Sequence, residues 1–285
     1  MIPRPNFIKL HRLPALAVFA LLIVFLTVTQ SRAADRDRLQ AFLKVTGFDV
    51  ALDSIALAAA DAPEMLGMSA SDFGSEWTRV ADEVFDTAKM QGIALDILEQ
   101  TLSDEMLTHA AEFYASPLGQ RLVEVENASH MVDDDAAKRA TGEELVARDV
   151  AEGNPRVGIL RAMTAAIDAS DSSVRAVQEI QVRFLMAASN AGVLEQELDE
   201  GMLRALMKES ESDLRLSMQR ASLAGAAYTY QDLSDDDLQA YVDALEHPTM
   251  QVVYELMNAV QYEVMANRFE VLAARMAELH PGQEL

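Results

Sequence analysis

A segment of 27 residues occurs twice in this chain, and this repetition constrains the fold more than any other feature. Residues 102–128 and 233–259 align without a gap at an offset of 131, with nine identical positions. The identities are Leu102/Leu233, Ser103/Ser234, Asp104/Asp235, Leu107/Leu238, Pro117/Pro248, Gln120/Gln251, Glu124/Glu255, Asn127/Asn258 and Ala128/Ala259. A repeated segment of this kind is a supersecondary unit that needs neighbours to bury its apolar face. The sequence therefore predicts two related structural units.

Each copy has the pattern of two helices joined at a proline. Ser103 and Ser234 precede acidic residues, as helix N-cap residues do, and leucines flank each serine at the positions of a hydrophobic staple. Pro117 and Pro248 follow. Proline pushes the residue before it out of the helical region and suits the first position of a new helix. Each copy is therefore predicted to be a helix–corner–helix unit. Helix capping does not explain the identical glutamines and asparagines, Gln120/Gln251 and Asn127/Asn258. They either lie on a solvated helix face or take part in binding, and the sequence leaves both alternatives open.

Composition favours helices throughout the chain. Glycine and proline number only 12 and 8 among 285 residues, and no stretch keeps the alternation of a strand. The best internal break is the Glu-Gly-Asn-Pro sequence at 152–155, which separates the two copies. We therefore expect an all-α protein with one helical unit at 34–151 and a second, degenerate unit at 154–282, packed into one body.

The first 33 residues have the pattern of a secretion signal peptide. Basic residues precede the apolar run 13–29, and Ser31-Arg32-Ala33 fits a small-x-small cleavage site. The run is near the lower limit of length for crossing a bilayer, so an uncleaved anchor stays open. The chain has no cysteine, which excludes a lipid-modified N-terminal cysteine and disulfides. We expect an exported mature chain that begins at Ala34 and has no transmembrane helix unless the signal is retained.

The chain is strongly acidic. Its formal net charge is −23, and removal of residues 1–33 takes away four positive charges and no negative one, which gives −27. Such a surface repels phosphate backbones, so nucleic acid is not an expected partner. Cationic partners and divalent ions stay open.

Sequence signatures of catalysis are absent. Neither G-x-S-x-G, H-E-x-x-H nor the glycine-rich nucleotide-binding patterns occur, and no thiolate chemistry is available without cysteine. A carboxylate pair cannot be selected among 46 acidic residues. We therefore predict no catalytic residue, no cofactor and no metal site. Two weaker metal alternatives are the thioethers of Met65 and Met68 for copper, and Glu126 with His130 on one helix face.

The first proline corner is the candidate binding site, because it carries residues that the second corner lacks. The second copy has alanine, leucine and methionine where the first has Phe113, Tyr114 and Gly119. An aromatic pair at a helix end lines a groove or anchors the corner on the core. The candidate groove residues are Phe113, Tyr114, Pro117, Gly119 and Gln120.

The same corner carries a family resemblance. Residues 102–107 read L-S-D-E-M-L and residues 113–120 read F-Y-A-S-P-L-G-Q. This corner is similar to that of a bacterial family catalogued as domain of unknown function 2059, and the second copy resembles it in degenerate form. The resemblance implies an all-helical exported protein of Gram-negative bacteria, and hence the periplasm. It brings no catalytic residues with it.

The leading hypothesis from sequence is a non-enzymatic exported binding or interaction module with an unidentified protein or small molecule as partner. One alternative is a cell-envelope enzyme that uses a carboxylate pair. The other is a periplasmic protein that handles a metal weakly.

Export gives the first testable prediction. Signal cleavage after Ala33 should leave a mature protein whose N-terminal residue is Ala34, because the small-x-small site follows the apolar run directly. Intact-mass measurement of the exported protein checks this. A membrane-bound form that still carries Met1 would instead establish the anchor.

Overall fold

The computed structural model describes residues 36–60, 62–168, 172–194 and 196–279. The predicted signal peptide lies outside these residues. The secondary structure of the described ranges is helical and contains no strand, so the predicted all-α class is confirmed. No helix in these ranges is long and apolar enough to cross a membrane.

The α-helices follow one another through most of the described residues, and short 3₁₀ segments fill the stretch between α2 and α3. The α-helices are α1 (36–46), α2 (Phe48–Asp53), α3 (Trp77–Val84), α4 (Thr87–Thr101), α5 (Asp104–Tyr114), α6 (Pro117–His130), α7 (Asp135–Glu152), α8 (Arg156–Ile167), α9 (Ser173–Asn190), α10 (Glu200–Glu209), α11 (Glu211–Thr229), α12 (Asp235–Leu245) and α13 (Pro248–Leu279). The 3₁₀ segments are Ser54–Ala59, Ala62–Leu66 and Ala70–Glu76.

The predicted serine caps begin α5 and α12. The hydroxyl of Ser103 accepts a hydrogen bond from the backbone N–H of Met106, and the hydroxyl of Ser234 accepts one from Asp237. Each bond satisfies an amide that has no partner inside its helix. Both helices have 11 residues. The first arm of each predicted hairpin therefore begins where the sequence indicated.

The predicted proline corners are also present. Helices α6 and α13 begin at Pro117 and Pro248. Ser116 caps α6, because its hydroxyl accepts a hydrogen bond from the N–H of Gly119. Helices α10 and α11 meet at Ser210. The Ser210 hydroxyl donates a hydrogen bond to a backbone carbonyl of α10, a local bond that competes with helix continuation.

Helix α13 is the centre of the core. It contacts α3, α4, α5, α8, α9 and α12, while α11 packs on α7 and α12 packs on α8. Its buried residues recur along its whole length, from Met250 to Met276. The predicted boundary at 152–154 falls in the turn between α7 and α8. Helices from both sides of this turn contribute to one hydrophobic cluster.

Glycine permits the close contact between α7 and α11. A Cβ added to the buried Gly142 would lie 2.0 Å from the carbonyl oxygen of Ala224 on α11. Backbone atoms cannot move aside as a flexible side chain can. The contact of these two helices therefore requires a residue without a side chain at this position.

Gly142→Ala should consequently destabilise the protein by about 1–3 kcal/mol, because the new methyl group overpacks against the α11 backbone. The control is Gly92→Ala on α4, where an added Cβ meets no atom within 4 Å. That change should stabilise by up to about 1 kcal/mol through helix propensity. Chemical denaturation of both variants checks the opposite signs. Equal effects would contradict the close helix contact.

Candidate functional site

A pocket of about 320 Å³ opens beside α6 and α13. Its walls come from the α1–α2 junction and from α6, α7, α8, α11, α12 and α13. The volume lies at the lower end of the range of about 300–1,000 Å³ that small-molecule sites occupy. The pocket combines one carboxyl group, several tyrosines and two asparagine side chains, so it presents acidic, phenolic and amide groups in one concavity. Its polar lining includes Glu126, Asn127, Lys138, Tyr230, Tyr241, Tyr254 and Asn258.

Glu126 is the acidic residue in this lining. It projects from α6, and its Oε1 atom accepts hydrogen bonds from two tyrosine hydroxyls, at 2.6 Å from Tyr230 and 3.0 Å from Tyr241. Burial raises the pKa of Glu126 from its ordinary value of 4.5 to about 7, while the two tyrosine hydrogen bonds act in the opposite direction. The cost of removing the charge from water therefore exceeds the stabilisation by the two donors.

Behind Glu126, the tyrosines form a connected hydrogen-bond network. The hydroxyl of Tyr254 lies 2.6 Å from that of Tyr241, and the hydroxyl of Tyr114 lies 3.2 Å from that of Tyr241 and also bonds Tyr254. Burial raises the pKa of all of these phenols, so each remains a donor at neutral pH. We call Tyr114, Tyr230, Tyr241 and Tyr254 the tyrosine cluster.

Each hydroxyl carries one proton, and this fixes the direction of the network when Glu126 is ionised. Tyr230 and Tyr241 then donate to the carboxylate. Tyr241 has no proton left, so it accepts from Tyr254 or from Tyr114, and these two hydroxyls share the remaining hydrogen bond. Each hydroxyl of the tyrosine cluster thus donates its proton towards Glu126, directly or through another tyrosine. Hydrogen bonds that are aligned in this way polarise and strengthen one another.

The second pocket wall is built around two asparagines that the repeat had left unexplained. The Nδ2 of Asn258 donates to the carbonyl of Ile167 at the end of α8, over 3.0 Å. The Oδ1 of Asn127 is buried and accepts no hydrogen bond from the described residues. The Asn127 side chain can pack this closely against the turn between α1 and α2 because residue 47 is a glycine. The φ angle of Gly47 is 72°, and a Cβ added there would lie 2.5 Å from the Oδ1 of Asn127. Asn127 therefore lines the pocket while its own carbonyl oxygen stays buried without a donor.

The far end of the pocket contains a lysine. Lys138 of α7 donates from Nζ to the carbonyl oxygen of Ser129 at 2.8 Å, near the end of α6. Ser129 in turn shares a hydrogen bond of 2.7 Å with Thr229 of α11. Burial lowers the pKa of Lys138, and neighbouring Asp135 acts against this shift. Lys138 therefore places a positive charge in the same pocket lining as Glu126.

A larger pocket of about 550 Å³ lies beyond Asn258 and is chemically less favourable. Its carboxyl group, on Asp168, already accepts hydrogen bonds from Ser172 and Ser173. Arg215, another of its lining residues, is paired with Glu211 at 2.9 Å. Two of the three charged groups there, Asp168 and Arg215, thus have protein partners, the third being Arg161, and we take the Glu126 pocket as the candidate site.

The aromatic residues of the first corner point into the tyrosine cluster. Tyr114 is 4% exposed, and Phe113 stacks on the ring of Tyr241 with centroids 5.9 Å apart. Pro117 and Gln120 are exposed at the start of α6, and the Gln120 amide donates to the carbonyl of Ala115. None of these residues lines the Glu126 pocket, although Tyr114 reaches its network. A separate groove at the corner stays a prediction.

Gly119 has a local structural role at this corner. An added Cβ would lie 2.3 Å from the carbonyl oxygen of Phe113 and 2.5 Å from the Cα of Tyr114. The glycine thus lets α6 pass close to the end of α5 and holds Tyr114 beside the cluster. In the second copy Met250 occupies the matching position and is itself buried in the core.

The residues of the two metal alternatives are placed differently. Met65 is 38% exposed, whereas Met68 packs against the core. Glu126 and His130 both line the pocket, but Glu126 is engaged by the tyrosines. Among the described residues, no group of three or more histidine, aspartate or glutamate side chains is arranged to hold a metal ion.

Sequence reasoning did not select the tyrosine cluster, although a signal is present in the repeat. At four aligned positions, one copy has a tyrosine or glutamate and the other has an apolar residue. These pairs are Tyr241/Ala110, Tyr114/Leu245, Tyr254/Val123 and Glu126/Met257. Polar substitution at positions that the helix pattern assigns to the core would have indicated an internal site.

Comparison with known proteins gives one match. Residues 88–148 match the family described as an uncharacterized protein conserved in bacteria, DUF2059. The resemblance inferred from the first corner is thereby confirmed over these residues, which run from α4 to α7 and include Glu126 and Asn127. The chain matches no curated protein and no solved structure.

The raised pKa of Glu126 gives a stability prediction with a definite sign. The folded chain holds the Glu126 proton up to about pH 7, whereas the unfolded chain loses it near 4.5. The unfolding free energy of the wild type should therefore fall as pH rises between these values, by about 1.4 kcal/mol per unit and about 3 kcal/mol in all. Glu126→Gln should not show this loss, because its amide carries no charge.

Denaturant unfolding at several pH values from 4.5 to 7.5 measures the difference between the two proteins. Groups that titrate in both proteins cancel in this difference. The control is Glu124→Gln on the exposed face of α6. Parallel curves for the wild type and Glu126→Gln would show that Glu126 has an ordinary pKa.

Proposed function

We propose that this chain is an exported, non-enzymatic binding protein that holds a small polar molecule in the Glu126 pocket. In this proposal residues 1–33 direct the chain to the periplasm of a Gram-negative bacterium, and the second copy is a degenerate version of the family unit. The observation that carries the proposal is the partly buried carboxyl group of Glu126 in the wall of a pocket. It accepts hydrogen bonds from the hydroxyls of Tyr230, directly after α11, and Tyr241 of α12.

A purely structural role explains this arrangement poorly. Keeping a carboxylate away from water costs stability, and the raised pKa of Glu126 reflects this cost. The matching positions of the other copy show that apolar side chains suit the same places, since Ala110, Leu245 and Met257 are all buried. Perturbed carboxyl groups in concave sites are characteristic of functional sites. The polar character of these residues therefore favours a role in ligand binding over a role in core packing.

Both copies contribute to the pocket. Glu126 and Asn127 come from α6, and Tyr241, Tyr254 and Asn258 come from α12 and α13. A small-molecule ligand explains this convergence better than a protein partner does, because the groups face a concavity of limited volume rather than a flat surface.

An envelope enzyme is the second candidate, and the pKa of Glu126 favours it. A carboxyl group that titrates near neutral pH is suited to both accept and donate a proton. However, Glu126 is the only acidic side chain in the described lining of this pocket, so the carboxylate pair that the enzyme alternative requires is not assembled there. Binding without turnover therefore has the stronger support.

A larger residue at position 225 tests whether the pocket volume is needed for binding. Gly225 lines the pocket from α11, and an added Cβ there meets no atom within 4 Å. Gly225→Leu should place an apolar side chain in the pocket with no clash at its Cβ and without loss of helix propensity. The matched control is Gly92→Leu, on another helix and equally free of contacts at Cβ.

The test is a thermal-shift screen of small polar compounds, comprising amines, amino acids, sugars, carboxylic acids and nucleosides. We expect at least one compound to raise the Tm of the wild type and of Gly92→Leu but not that of Gly225→Leu. If no compound separates the two variants, the pocket is not a ligand site. Chemical conversion of the bound compound by the wild type but not by Glu126→Gln would establish the enzyme instead.

A further inference from the structure

We infer that the ligand of the Glu126 pocket carries an ammonium group, which binds at the Oε2 atom of Glu126. The inference rests on the proposed function, since it names the chemical class of molecule that the pocket takes. It follows from which atoms of the site are already engaged and which are left for a ligand.

The two oxygens of the Glu126 carboxyl group differ. Oε1 accepts both tyrosine hydrogen bonds, from Tyr230 and Tyr241. Oε2 accepts none from the described residues, and Glu126 is partly exposed in the pocket wall. A carboxylate oxygen accepts two or more donors in favourable geometry. Oε2 therefore remains as a charged acceptor that faces the pocket.

The tyrosine cluster has no donor left for a ligand when Glu126 is ionised. The protons of Tyr230 and Tyr241 go to the carboxylate, and the hydroxyls of Tyr114 and Tyr254 donate within the cluster. An anionic ligand would find no phenolic donor here and would lie beside a negative charge. A ligand that supplies its own donors satisfies Oε2 instead.

The charge of the whole protein supports the same class. The acidic chain, with a net charge of −23, raises the local concentration of cations. An ammonium group carries several N–H donors, so it can bond Oε2 and keep donors for other acceptors in the pocket. The Oδ1 of Asn127, the next residue on α6, also has no donor from the described residues, but it is buried and is not counted as a contact of the ligand.

The other titratable groups of the pocket do not reverse this preference. From α5, α12, α13 and the end of α11 come the phenols of the tyrosine cluster, which are neutral. From α6 comes His130, whose pKa is lowered by burial and by Lys138, so it is also uncharged at neutral pH. From α7 comes Lys138, whose ammonium group is bonded to Ser129 and lies near Asp135. As a positive charge in the same lining, Lys138 is compatible with the carboxylate end of a zwitterion.

Four probes that share a four-carbon chain separate the possibilities: n-butylamine, n-butanol, butyrate and 4-aminobutyrate. The pocket of about 320 Å³ has room for on the order of ten non-hydrogen atoms, at about 30 Å³ for each water-sized volume. Affinities are measured by calorimetry at pH 8.5 for the wild type, Glu126→Gln and Gly225→Leu. At least one of the two amines should bind at least tenfold more tightly than n-butanol.

Each comparison has a defined meaning. Tighter binding of n-butylamine identifies a simple cation as the ligand type, and tighter binding of 4-aminobutyrate identifies a zwitterion. Glu126→Gln should lose at least tenfold in amine affinity, and Gly225→Leu should abolish binding. If n-butanol or butyrate binds as well as the amines, or if neither amine binds measurably, the inference is overturned. The thermal-shift screen judges the proposed function separately, because it includes every compound class.

The pH dependence of amine binding gives an independent readout. An alkylamine, like the lysine side chain, stays protonated below about pH 10. Glu126 titrates near pH 7, so its ionised fraction falls steeply between pH 8.5 and 5.5. Amine affinity for the wild type should therefore fall by about 30-fold over this interval. Glu126→Gln retains His130 and Lys138, so a fall of the same size in that variant would assign the effect to those groups and overturn the role of Glu126.

Discussion

The burial of α13 is the constraint on which the rest of the structure depends. This helix has 32 residues, and apolar side chains along its whole length are enclosed by helices from both halves of the chain. A helix that is apolar on several faces is stable only when neighbours cover it, since isolated helices gain little from propensity alone. The packing of α5, α8 and α12 around α13 brings α6 and the end of α11 to its N-terminal half, and this is where Glu126 meets the tyrosines.

The pocket forms because aligned positions of the two hairpins carry different side chains, polar in one copy and apolar in the other. The hairpins α5–α6 and α12–α13 have the same caps and the same proline corners, and both place side chains towards a shared interior. Glu126 on α6 and Met257 on α13 both line the pocket, although they align in the repeat. The apolar member of each pair maintains the core, whereas the polar member joins the hydrogen-bond network. Stability and a polar site are thereby combined in one interior.

The sequence predicted local structure well because the relevant forces are local. A serine cap and a helix-initial proline act within one turn of chain, so Ser103, Ser234, Pro117 and Pro248 were assigned correctly from residue type and order. The site was harder to predict. Tyr230 and Glu126 are separated by 104 residues and Tyr114 and Tyr254 by 140, and only tertiary packing brings them together. Phe113 and Tyr114 were recognised as special, but their direction into the core depends on the close passage at Gly119.

The alignment of Glu126 with Met257 has a consequence for symmetry. If two identical chains associated about a twofold axis, every residue near the axis would occur twice, and two glutamates would face each other. Two carboxyl groups at short range cannot both ionise readily. A single chain that contains both units is free of this restriction, because each unit can change independently. One isolated carboxyl group between two similar hairpins is thus an arrangement that a covalently joined pair allows and a symmetric dimer forbids.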